Sequence, residues 1–181
     1  MSDEPKAQQN VLIIYFTRDG HSEKIAQDLH AAIPSDIIKV QEKEEMNRGG
    51  VMNYLYSFNE SYFGSDNSSL LKTENLTNTE HYKSFIFIGP VWWWGINGPL
   101  KNACKEILKT VTPSQHVFLA LSFRGKMNPG DKGSFDEFKK LFTSKAIVHD
   151  NYLRCQEDDY ASGAVKEQFD AFVVEIKKAL E

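Results

Sequence analysis

The sequence predicts an α/β chain: a doubly wound sheet of five parallel strands with helices on both faces. Two observations carry that prediction. Short, continuously apolar runs recur along the 181 residues, as strands covered on both faces require. Between them lie stretches whose apolar residues repeat at helical spacing. Buried strands alternating with amphipathic helices build a parallel sheet, and right-handed crossovers then leave few topologies open.

The elements follow in order. Residues 11–16, "VLIIYF", are the first strand. Residues 22–33 are a helix, with Ile25, Leu29, Ala32 and Ile33 on one stripe and Pro34 ending it. Residues 37–40 make a short second strand, and 85–89, "FIFIG", a third. A helix over 99–108 places Leu100, Ala103, Cys104, Ile107 and Leu108 on one side. Residues 117–121, "VFLAL", are the fourth strand. Phe135, Phe138, Leu141 and Phe142 mark a helix over 135–142, and 146–148 begins a fifth strand. Val165, Phe169, Phe172, Val173, Ile176 and Leu180 define a terminal helix. The stretch 42–83 breaks the rhythm. Val51, Leu55, Phe58 and Tyr62 fit a helical stripe, and the polar run from 64 reads as loop. Segments that interrupt a regular α/β pattern are often functional; residues 54–63 are expected to pack near the tryptophans at 92–94 or to form a homodimer face.

Composition narrows the function. Apolar residues make up 41% and charged residues 25%, with a formal net charge of -4. That is enough for a core, and it lacks the clustered basic excess of a nucleic-acid binder. No apolar run approaches the ~18 residues of a membrane span. The polar start, residues 1–10, reads as a flexible tail with no signal segment, so one cytoplasmic domain over 1–181 is expected. Cys104 and Cys155 then read as reduced thiols, and the N-x-S/T matches at Asn59, Asn67 and Asn75 as chance. The five histidines show no metal-ligand spacing.

In a doubly wound sheet, ligands sit beyond the carboxyl ends of the strands. The informative segments are therefore 17–22, 89–98, 122–133 and 149–163. After the first strand comes Thr17-Arg18-Asp19-Gly20-His21-Ser22. Gly20 permits positive φ and close backbone approach. Thr17 and Ser22 offer hydroxyls, and the next helix offers free N–H groups and its positive dipole end. A phosphate monoester suits such a cradle. The competing reading is an ordinary helix start, with Asp19 or Ser22 as cap.

This loop resembles the phosphate loop of flavodoxin-like proteins, [ST]-x-T-G-x-[ST], which binds the phosphate of FMN. Thr17, Gly20 and Ser22 match, and Asp19 departs where a hydroxyl residue is usual. The variant "TRDGHS" is most similar to the loop of menaquinone-type protoporphyrinogen oxidases. A carboxylate beside a phosphate dianion costs on the order of a few kcal/mol at an effective dielectric near ~20. Asp19 avoids this by turning away to cap the helix, or Arg18 offsets it.

After the third strand, residues 89–101 read "GPVWWWGINGPLK". Trp92, Trp93 and Trp94 cannot all enter one core, and the flanking glycines and prolines make the segment a loop. Indoles stack well on flat conjugated rings. Pro90-Val91-Trp92-Trp93-Trp94-Gly95 resembles the aromatic loop of NAD(P)H:quinone reductases in the same superfamily. A hydrophobic plug or a subunit interface is the competing reading. After the fourth strand, Ser122, Phe123 and Arg124 fall where the resemblance puts the flavin's other wall, although loop residues are polar by default.

The resemblance covers 11–33 and 84–125 and implies a flavodoxin-like fold holding FMN noncovalently. The flavin performs the redox chemistry, so no catalytic side chain is expected. Arg124 and Lys126 place positive charge where it favours reduction by two electrons. The resulting expectation is an oxidoreductase moving electrons between NAD(P)H or a quinol and a quinone-like acceptor. Two alternatives stand beside it: an electron carrier docking on redox partner proteins, and a flavodoxin-fold binding protein that has lost FMN.

Overall fold

The computed structural model describes residues 9–41, 76, 78–125 and 130–181. The tail at 1–8, the aromatic stretch around 51–63, most of the polar run after it and Lys126 lie outside the described residues.

The chain order is β1 (Val11–Tyr15), α1 (His21–Ala32), β2 (Asp36–Lys39), β3 (Ser84–Trp92), β4 (Gly95–Ile96), α2 (Gly98–Ile107), β5 (His116–Phe123), α3 (Asp131–Phe142), β6 (Ile147–Val148), β7 (Leu153–Gln156), α4 (Glu157–Ala161) and α5 (Lys166–Lys178). The strands line up as β2-β1-β3-β5-β6, with β7 also on β5. β6 pairs with the start of β5 at His116 and Val117, and β7 with its end from Ala120 to Phe123. The fifth position of the sheet is thus one strand in two pieces. Every pairing along this path is parallel. Counting that position once and setting β4 aside, the order is 2-1-3-4-5, which belongs to the flavodoxin-like doubly wound fold.

Side chains alternate across the sheet, as a period of two dictates. Leu12, Ile14 and Phe16 face one core with Phe85, Phe87, Leu100, Phe138 and Phe142. Val11, Ile13 and Tyr15 face the other with Ile25, Leu29, Ile86, Phe118, Phe172 and Ile176. α2 and α3 therefore cover one face, and α1 and α5 the other. Burying each such Leu, Ile or Phe contributes about 1.5–3 kcal/mol.

Two expectations need correction. β3 runs three residues beyond Gly89, so Pro90, Val91 and Trp92 are strand rather than loop. Pro90 lies past Ile88, the last residue that β1 pairs, so its missing N–H breaks no ladder on that side. The fifth strand, expected to begin at 146–148, is interrupted, and the segment 149–163 holds its second piece β7 and the short helix α4.

Candidate functional site

The carboxyl ends of β1, β3 and β5 converge, and three segments meet there. The first leaves β1. Gly20 is the N-cap of α1, at φ +94°, and among the described residues no side chain caps the helix. Thr17 Oγ1 accepts a bond from Gly20 N–H at 2.9 Å, which closes the turn and leaves the Thr17 hydroxyl proton free to donate. Among the described residues, a Cβ at Gly20 would meet nothing within 4 Å. Ser22 is buried, and its hydroxyl pairs with Ser122 at 2.9 Å, joining the first segment to β5. Asp19 does not cap the helix, contrary to the sequence expectation. The cap position falls to Gly20, and a cation from another loop holds the carboxylate.

That cation is Arg124. Its Nη2 donates to Asp19 Oδ2 at 2.6 Å, and its Nε to Glu157 Oε2 at 3.1 Å. His21 Nε2 lies 3.2 Å from the same Glu157 oxygen. Glu157 and Asp19 together raise the Arg124 guanidinium further above its ordinary value, Glu157 chiefly. Asp19, His21 and Glu157 bring their ligand-type atoms within 4.8 Å of one another, and the guanidinium is the cation this cluster holds. Gln156 steadies the arrangement: its Nε2 donates to the Arg124 carbonyl at 2.8 Å, and its Oε1 caps α4 at Asp159 N–H.

The tryptophan segment is a tight hairpin. Trp92 pairs antiparallel with Gly95, leaving Trp93 and Trp94 as the two turn residues. Both have positive φ, 49° and 62°. A two-residue turn of this hand suits the strand twist but normally uses Asn and Gly. Left-handed backbone costs about 1–2 kcal/mol per non-glycine residue, and such strain persists only where the surroundings enforce it. Here α3 enforces it. Trp94 lies against Gly130 and Gly133 so closely that a Cβ on Gly130 would sit 2.3 Å from Trp94 Cα, and one on Gly133 2.8 Å from Trp94 O. Glu137 Oε2 accepts from Ile96 N–H at 3.1 Å, and Glu137 Oε1 pairs with Lys101 Nζ at 2.7 Å. Asn97 caps α2 at Leu100 N–H and donates to the Pro90 carbonyl at 2.9 Å. Gly89 leaves room for that Asn97 amide, which a Cβ would approach to 2.6 Å. The three indoles therefore part company: Trp92 meets Phe16 edge-on at 5.7 Å, Trp94 rides on α3, and Trp93 stands edge-on to Trp94.

Between these segments lies a cleft of about 520 Å³. Arg18 and Asp19 line one side, Pro90, Val91 and Trp92 the second, and Ser122, Phe123 and Arg124 the third. Those were all expected from sequence. Gly125 and Glu157 complete the lining and were not. Thr17, Gly20 and Ser22 form the adjoining turn without lining the cleft, His21 lines a neighbouring cleft instead, and Trp93, Trp94 and Gly95 are not among the lining residues either. A second cleft, of about 570 Å³, opens between α1 and the α4–α5 corner, with Ile25, Cys155, Tyr160 and Phe169 on its apolar side. Ser122 and Glu157 line both clefts. Burial pushes the Cys155 thiol up, and burial with the Asp28 bond pushes the Tyr160 phenol up, so both stay protonated near neutrality. His149, by contrast, sits by the start of β5, bonded to His116 and Glu175.

No protein-family model matches the sequence, and no curated protein does. Solved structures do. A flavoprotein from Lactobacillus acidophilus NCFM, in complex with FMN, aligns over 86% of this chain and 98% of its own at 14% identity, TM-score 0.64. A Fusobacterium nucleatum flavodoxin bound to flavin mononucleotide aligns over 94% and 98% at 12% identity, TM-score 0.60. A WrbA-like flavodoxin protein from Agrobacterium tumefaciens aligns over 83% and 85% at 9% identity, TM-score 0.59. Strand order and these likenesses agree: the chain has the flavodoxin-like α/β fold.

Proposed function

We propose that the chain binds FMN in the smaller cleft and serves as an FMN-dependent oxidoreductase between NAD(P)H or a quinol and a quinone-like acceptor. The observation that carries this is an aromatic-walled cleft directly adjoined by a glycine-capped helix start. The residues suit the group. Among the described residues, the first turn of α1 has N–H donors that no side chain caps, beside a Thr17 hydroxyl whose proton Gly20 does not take and a glycine with nothing near its missing Cβ. Trp92, Pro90 and Phe123 offer flat apolar surfaces to a conjugated ring. Two of the similar solved structures hold FMN, which supports the same ligand here.

FMN, when bound, supplies the redox chemistry. The chain's own residues hold and orient it: the α1 start and Thr17 take the phosphate, Trp92 and Phe123 flank the ring, and Asn97, Glu137 and Gly130 fix the hairpin that carries Trp92. One observation favours the carrier reading. The Arg124 charge, expected to favour reduction by two electrons, is paired with Asp19 and Glu157, which weakens that bias. Anaerobic mixing of the flavin-loaded protein with NADH and NADPH separates the two. Bleaching of the flavin absorbance by either nucleotide supports the reductase. No reduction by either, with two resolved one-electron stages under dithionite, supports the carrier.

A further inference from the structure

We propose that Asp19 sets how strongly the cleft reads a ligand's phosphate, by competing with that phosphate for Arg124; this rests on the FMN reading above. A guanidinium offers five N–H donors. Glu157 takes Nε and Asp19 takes Nη2. The two carboxylates hold it differently. The Glu157 side chain is 16% exposed and also meets His21, so it is a fixed anchor. Asp19 is 39% exposed and Arg124 71%, so their contact exchanges readily with solvent or another anion.

Asp19 directly precedes Gly20, which caps α1. A phosphate held at the helix start would therefore be one residue from the carboxylate that holds Arg124 Nη2. The Nη edge is the part of arginine that grips phosphate with two parallel bonds. While Asp19 holds it, a dianion must either displace the carboxylate or sit beside it. Removing the Asp19 charge leaves Glu157 still anchoring Nε and turns the Nη fork over to the ligand. Residue 19 thus lowers phosphate discrimination, where a hydroxyl residue would leave Arg124 available.

The test measures dissociation constants for FMN and for riboflavin, by flavin fluorescence at fixed pH and ionic strength, in wild type, Asp19→Asn, Arg124→Gln and the double variant. Asp19→Asn should widen the preference for FMN over riboflavin about ten-fold, and Arg124→Gln should narrow it by a similar factor. In the Arg124→Gln background, Asp19→Asn should change the ratio no more than about three-fold, because only direct repulsion is left. Asp19→Ser should behave as Asp19→Asn does. Both positions of this cycle are exposed enough to spare the fold, which far-ultraviolet dichroism checks. An unchanged ratio in Asp19→Asn, or an equal gain with and without Arg124, overturns the inference while wild-type FMN binding leaves the parent reading standing. Wild type that binds neither flavin overturns both.

Discussion

Replacing Gly130 with alanine tests whether the tryptophan hairpin is clamped by α3. The substitution acts in two ways. Gly130 has φ +80°, so any side chain there costs about 1–2 kcal/mol of backbone strain. Its Cβ would also lie 2.3 Å from Trp94 Cα. That neighbour is backbone, so no side-chain rotation relieves the overlap, and the turn itself has to move. Overpacking of this kind costs about 1–3 kcal/mol, giving about 2–5 kcal/mol in all. Gly163 supplies the control. It has the same φ of +80° but nothing within 4 Å of its would-be Cβ, so Gly163→Ala should show the strain alone. Urea unfolding of the two variants should differ by about 1–3 kcal/mol, and their thermal midpoints by roughly 2–12 °C at about 2–4 °C per kcal/mol. Adding Trp94→Ala leaves the Cα in place but frees the turn to shift, so the double variant should recover part of the difference. Equal stability of Gly130→Ala and Gly163→Ala would refute the clamp.

Three further outcomes follow from the same geometry. Gly20→Val should leave packing intact, since its Cβ meets nothing within 4 Å, yet at φ +94° it should cost about 1–2 kcal/mol of stability and weaken FMN binding more than riboflavin binding; equal weakening would mean that the α1 start does not hold the phosphate. Trp92→Leu should abolish most of the ligand-induced quenching of indole fluorescence, whereas Trp94→Leu should preserve the quenching; the reverse pattern would move the ligand to the other side of the hairpin. His116 is held below its ordinary value by burial and then by the neighbouring His149, so the unfolded chain binds its proton more readily. That contribution to stability is present above the unfolded imidazole value of about 6.5 and is lost as pH falls through the lower folded value. His116→Asn should flatten this acid-side decline in thermal midpoint, and an unchanged slope would remove His116 as its source.

The sheet was legible because its signals are local and redundant. The runs at 11–16, 85–89 and 117–121 became β1, β3 and β5 with ends shifted by at most a few residues, and the stripe of Ile25 and Leu29 became the buried side of α1. Eight of the cleft-lining residues were also legible, because strand ends in this fold mark where ligands collect. The hairpin was not. Two tryptophans carry no turn signal, and what holds them left-handed is Gly130, Gly133 and Glu137, which follow some forty residues later. The Arg124–Asp19–Glu157 cluster was hidden for the same reason: the partners lie 105 and 33 positions away in sequence. A strand interrupted at 149–152 likewise looks like an ending until β5 is seen to pair with both pieces.

The central claim is that the cleft between the ends of β1, β3 and β5 holds FMN. Titration of the flavin-free protein with FMN, followed by calorimetry and indole fluorescence together, tests it most directly. One FMN should bind saturably per chain, with quenching that Trp92→Leu removes. Protein that is folded by circular dichroism yet shows neither heat nor quenching on addition of FMN would contradict it.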